Sequence, residues 1–129
     1  MEINLPEALA EVTAQFARYE TALVTNDVAV LDELFHDDPH TLRYGGGENL
    51  YGYKEIMAFR AGRSSAGLMR RIDRTLITTY GRDMAVASTL FYRDSMPGKV
   101  GRQMQTGVRF AYGWKIVAAH VSVIDEPKG

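Results

Sequence analysis

The hydrophobic repeat changes period midway along the chain, and that change constrains the fold more than any other feature. In the first quarter, Leu5, Leu9, Val12, Phe16, Tyr19 and Leu23 recur at spacings of four and three. This is the stripe of a helix packed on one face. Pro6 stands where a first-turn proline is tolerated, and Asn26-Asp27 can stop this helix and cap a short second one over 28–35. Pro39 turns the chain. Short strands are expected over 41–44 and 48–51 around Gly45-Gly46-Gly47, with a third helix over 53–63 and a loop over 64–67. From residue 70 onward the pattern is different. Segments 70–80, 84–92, 100–112 and 114–124 are long, β-branched and aromatic-rich, and Gly81-Arg82-Asp83, Pro97-Gly98 and Gly113 punctuate them. Tight turns between such runs predict an antiparallel meander. Helices first and strands afterwards predict α+β architecture in one domain, 1–129.

Composition narrows the functional classes. A formal net charge of -1 gives no general footprint for nucleic acid or anionic lipid. The absence of cysteine excludes disulfides, thiolate zinc sites and a cysteine nucleophile. The N-terminal MEINLPEALAEV is acidic where a signal peptide is basic, and no apolar run approaches a membrane span, so the expected location is the cytoplasm. No cofactor is expected. His36, His40 and the two aspartates between them cluster in a turn but lack a second ligand string, so no metal is expected either. Residues 84–92 and 115–124 carry apolar side chains on both alternating faces. A sheet with one wet face alternates more cleanly. A homo-oligomer, a dimer or dimer of dimers joined through the outer sheet face, is one account. Small residues tolerated in solvent are the other.

Two helices, a short strand pair, a third helix and four long strands follow the order of a curved-sheet cone, that of the nuclear-transport-factor-two-like superfamily with its SnoaL-like members. The strings FARYETALVTNDVAVLDELF, TLRYGGGENLYGY, GRQMQT and GWKIVAAHVS sharpen this. Together they resemble the AtzH/HpxZ family of small SnoaL-like proteins. The resemblance covers nearly the whole chain. It implies a cone-shaped curved antiparallel sheet packed against N-terminal helices. It also implies decarboxylating hydrolysis of a carboxylated urea (1,3-dicarboxyurea-like) or a related ureide, in pathways that also employ amidases. The match carries two catalytic residues onto this chain, the tyrosine of FARYE, Tyr19, and the arginine of TLRYG, Arg43. One departure stands out: Gly107 follows GRQMQT where an aromatic is expected, which enlarges a pocket or alters an interface.

Taken alone, the residues leave alternatives open. Tyr19 lies on the apolar stripe and points inward, either as a core residue with a satisfied hydroxyl or, beside a cation, as a proton donor or acceptor. Arg43 alternates with Leu42 and Tyr44. It is either a solvated edge charge or an inward guanidinium able to hold a carboxylate through two parallel bonds. Gln103 and Gln105 share a face and can read a urea, or simply pair across strands. His120 is expected on the face of Trp114, Ile116, Ala118 and Ser122, lining the interior. Arg60, Arg63, Arg70 and Arg71 concentrate positive charge. Arg70 is the candidate ligand contact, and Glu55, Asp73 and Asp83 are available to pair with the group. No G-x-S-x-G or serine-lysine signature appears, so hydrolysis would rest on acid-base and electrostatic work. Enzyme and non-catalytic binding or amidase-accessory module are both compatible with such a cone. An Arg43 paired outward to an acid would favour the second.

Overall fold

The computed structural model describes residues 1–127. Pro6 opens helix α1 (Pro6–Val24), in which Val12, Phe16, Tyr19 and Leu23 of the expected stripe are buried, while Leu5 and Leu9 are only half-buried and Ala8 takes the inward place in the first turns. Asp27 then caps α2 (Val28–Leu34) by accepting from the Val30 N–H, satisfying one of the free donors at a helix start. Strands β1 (Leu42–Tyr44) and β2 (Asn49–Tyr51) form a small hairpin before α3 (Tyr53–Ala61). The four long strands follow: β3 (Arg71–Tyr80), β4 (Met84–Tyr92), β5 (Lys99–Phe110) and β6 (Gly113–Asp125). They pair consecutively as the predicted antiparallel meander.

The sheet order is β2-β1-β6-β5-β4-β3. The curved sheet is not wholly antiparallel, because β1 runs parallel to β6. In sequence β2, α3 and the other three long strands lie between these two, and only the return of β6 places the hairpin at the sheet edge. Its inner face packs against α1 and α2, with Tyr19, Leu23, Leu31, Leu34, Phe35, Leu50, Ile56 and Ile116 in one core.

Burial along β4 alternates without a break: Ala85, Ala87, Thr89 and Phe91 are buried, and the residues between them are not. Phe91 lies so close over Gly101 that a Cβ there would fall inside its ring, which explains the glycine. On the other face, Leu76 (63% exposed), Met84 (45%) and Met104 (55%) stand in solvent. Apolar residues on both faces of these strands therefore reflect one core and one uncovered apolar surface in the single chain.

A register shift interrupts β6. Thr106 pairs with Ala118 and Gly107 with Ile116, which leaves Val117 unmatched. A bulge of this kind adds one residue to one strand and reverses which face the following side chains take. Ile116 and Ala119 are accordingly both buried, three residues apart.

Candidate active site

Arg43 stands on β1 opposite Leu50 and Ala119, both buried, and so belongs to the inner face. Its side chain is 11% exposed, and its guanidinium lies 5.7 Å from the Phe59 ring centroid. Nη1 donates to Glu48 Oε1 at 2.7 Å across the glycine turn. A Cβ on Gly45 would overlap that carboxylate and approach Arg43 Nη1 to 2.8 Å, whereas Cβ atoms on Gly46 and Gly47 would meet nothing. Only the first glycine is therefore required, and what it makes room for is the ion pair. Arg43 has an acidic partner, but the pair faces inward rather than out to solvent.

Across the sheet, Gln105 aligns with Ala87 and Ala119, and Gln103 with Thr89 and Val121. Both glutamines are buried, at 2% and 5% exposure for Gln103 and Gln105. Gln103 Nε2 and Oε1 and Gln105 Nε2 have no hydrogen-bond partner among the described residues. Leaving a buried polar group unpaired costs about 1–3 kcal/mol. Three such atoms on two neighbouring side chains call for a polar partner on this face.

Tyr19 descends from α1 onto the same region. With Gln105, Gly107, Gln15, Phe16 and Ile116 it lines a cavity of about 20 Å³. That is room for about one water. Gly107 borders this cavity, and a Cβ there would reach only ordinary contact with Trp114, 3.7 Å away, and the Lys115 carbonyl, 3.8 Å away.

Two further arginines are half-buried. Arg63, just beyond α3, has a buried Nε without a partner among the described residues, and its side-chain hydrogen bond, from Nη2 to Asn26 Oδ1, is long at 3.5 Å. Burial, then the charges of Arg43 and Arg60, hold it below the usual arginine range, while Tyr19 and Glu48 act the other way. Arg93, just beyond β4, also has an unpartnered buried Nε and lies 4.8 Å from the Phe91 centroid. Burial depresses it first, then Arg70 and Arg63, against the opposing effects of Glu20 and Tyr19. Arg93 was legible in the sequence as the next inward position after Ala85, Ala87, Thr89 and Phe91.

Two expectations require correction. His120 is exposed and pairs in register with Met104 and Tyr44, on the outer face, its ring 5.9 Å from that of Tyr44. Strict alternation from Trp114 places it inside, and the bulge at Val117 reverses the phase. Arg70 does face inward, but its Nε and Nη2 donate to Glu20 Oε1 and Oε2 at 2.8 and 2.7 Å. With its side chain 1% exposed, it forms a wall rather than a free ligand contact. The acids expected to pair with the basic cluster are also different ones: Asp32 takes Arg60 and Glu20 takes Arg70. Both come from the helices, which sequence distance hides.

A helix-packed curved sheet with a polar, cationic inner face defines a protein of the nuclear-transport-factor-two-like, cystatin-like class. A nuclear-transport-factor-two-like protein from Pseudomonas putida shares this fold, with a TM-score of 0.78 at 15% identity, over 95% of this chain and 97% of that one. The chain belongs to the AtzH-like family, whose pattern matches residues 1–127. It is similar to a DUF3225-family protein of unknown function from Pectobacterium atrosepticum, with 62% identity, 95% of each chain covered and a TM-score of 0.93. It is also similar to a cystatin-like fold protein from Burkholderia xenovorans, with 46% identity over 98% of this chain and 99% of that one and a TM-score of 0.94. None of the curated proteins matches this chain. Among the described residues, no helix is long and apolar enough to cross a membrane.

Proposed function

We propose that this protein is a small-molecule amidohydrolase that hydrolyses a carboxylated urea or related ureide with loss of carbon dioxide. The observation that carries the reading is the set of buried, unpartnered amide atoms of Gln103 and Gln105 on the face that also holds Arg43 and faces Tyr19. An amide can donate to a urea oxygen and accept from a urea N–H at once. Arg43 holds a carboxylate and stabilises negative charge developing on the neighbouring carbonyl. Water adds to that carbonyl carbon, the C–N bond breaks, and the departing nitrogen takes a proton delivered through Tyr19. The carbamate left behind loses carbon dioxide. The apolar surroundings strengthen each interaction by excluding water.

The test is a panel of carboxylated ureas and oxalurate, with carbon dioxide and ammonia measured together. Turnover of at least one member is expected in the wild-type protein, and none in a folded Tyr19→Phe variant. Activity retained by that variant would remove Tyr19 from the reaction.

A second reading, a non-catalytic ligand-binding or amidase-accessory module, draws support from Glu48, which already occupies one guanidinium nitrogen of Arg43. Silence across the panel together with tight binding of one member would favour it. Either reading is compatible with a homo-oligomer formed through the outer face, where Leu76, Met84 and Met104 give an apolar surface to a second copy.

A further inference from the structure

Arg43 and Arg70 meet their acids through different edges of the guanidinium. Arg70 donates from Nε and Nη2 to the two oxygens of Glu20, at 2.8 and 2.7 Å, the parallel bonds of a side-on pair. Arg43 donates from Nη1 alone to Glu48 Oε1 at 2.7 Å. Its Nε–Nη2 edge, the one that Arg70 gives to Glu20, is taken by no carboxylate among the described residues. A guanidinium is a donor fork on several sides, so a bond at Nη1 leaves that edge for a ligand.

Glu48 is itself held by the glycine turn. Its carbonyl oxygen accepts from the Gly45 N–H at 2.9 Å, and its Oε2 accepts from the Gly47 N–H at 3.2 Å. Neither bond involves Arg43, so the turn sets the carboxylate in place independently of the guanidinium. Arg43 is rooted on β1, between β2 and β6, and its Cζ lies 5.7 Å from the Phe59 ring centroid. A long side chain is thus confined at its root, at one nitrogen and at one face. The two side chains are only 11% and 23% exposed, and at that burial an unpaired guanidinium is costly.

We propose that Glu48 is a positioning residue: it fixes the Arg43 guanidinium with the Nε–Nη2 edge presented to the ligand, and it stays in place when the ligand binds. That the presented edge serves a hydrolysis rests on the amidohydrolase reading; that Glu48 orients it does not. Donors held in advance need no reorganisation as charge develops on a carbonyl beside them. Orientation is gained at the expense of affinity, because a carboxylate next to the guanidinium weakens its attraction for a second anion. Gly45 belongs to the same arrangement, since a Cβ there would overlap the Glu48 carboxylate.

One measurement uses turnover and one does not. With a carboxylated urea that the protein hydrolyses, Glu48→Ala is expected to lower kcat roughly ten- to a hundredfold, the effect of a misplaced catalytic group, without raising KM. Glu48→Gln keeps an acceptor for Nη1 and removes the charge, so kcat should recover to within about fivefold of wild type while KM falls. A merely structural role would lower Tm without this split. In a crystal of the wild-type protein soaked in acetate, the acetate is expected on Nε and Nη2 of Arg43, with Glu48 still on Nη1. Acetate on Nη1 with Glu48 turned away would make Glu48 a blocking group and overturn the proposal, as would acetate absent from Arg43. If Glu48→Ala does not fold, Glu48→Gln and the acetate complex decide. Acetate seated as expected, with no turnover of any carboxylated urea, would sink the amidohydrolase reading and leave the role of Glu48 standing. Turnover with kcat undiminished in folded Glu48→Ala would do the reverse.

Discussion

Adding one methyl group at Gly45 should perturb the candidate site without replacing any of its polar side chains. A Cβ there would overlap the Glu48 carboxylate and crowd Arg43 Nη1, and the obstacle is the end of a flexible side chain rather than backbone. Gly45 is not in the left-handed region, so alanine meets no backbone strain. The expected response is that Glu48 swings away and the pair with Arg43 breaks. The two side chains are 11% and 23% exposed, so screening by water is limited. A hydrogen bond to a charged group is worth about 1.5–3 kcal/mol, and the Gly-to-Ala change returns about 0.4–1 kcal/mol through the unfolded chain. The net loss is therefore about 1–2 kcal/mol, a fall in Tm of roughly 3–10 °C for a domain of this size. Circular dichroism melts and urea titrations measure it. The decisive comparison is the same substitution in a Glu48→Ala background, where the methyl has nothing to displace. There Gly45→Ala should be stabilising by the unfolded-chain term alone, giving a coupling energy of about 1.5–3 kcal/mol. Gly46→Ala and Gly47→Ala serve as controls, since neither Cβ would meet a neighbour. An equal loss in both backgrounds would refute the claim that this glycine exists to admit the ion pair.

Further expectations concern the wall, the corrected histidine and acid stability. Glu20→Gln leaves the fully buried Arg70 without its carboxylate; breaking such a pair costs about 3 kcal/mol or more, so Tm should fall by roughly 10 °C, read by calorimetry. His120→Ala should leave turnover unchanged, because its side chain lies on the outer face in register with Met104. Asp38 is held below its usual 3.8 by the His40 backbone N–H and then by the His40 ring, and Asp125 by Lys99. A depressed carboxyl stabilises the fold above its unfolded value and loses that contribution as pH falls through its folded value. Tm should therefore be insensitive to these groups above roughly pH 5 and decline below about pH 4, with a shallower acid limb in Asp38→Asn, as thermal melts across pH would register.

Much of the site was readable before any coordinates. Tyr19 points inward because it shares a 3.6-residue repeat with Phe16 and Leu23, and Gln103 and Gln105 share a face because strands alternate. Arg43 follows from the same alternation beside Leu42 and Tyr44. Arg93 obeyed the rule too, one step past the end of its strand. Arg63, by contrast, lies past the end of α3, where no repeat indicates direction.

Periodicity, turn residues and composition thus determined the elements, their order, the α+β class and the inward direction of most side chains within an unbroken element. These are local properties, set by backbone geometry over a few residues. The tertiary structure alone decided three things: the parallel pairing of β1 with β6, the bulge that turns His120 outward, and the choice of Glu20, Asp32 and Glu48 as partners for Arg70, Arg60 and Arg43. Each depends on the register between separate elements and on where long side chains end, and neither is encoded in any short stretch of chain.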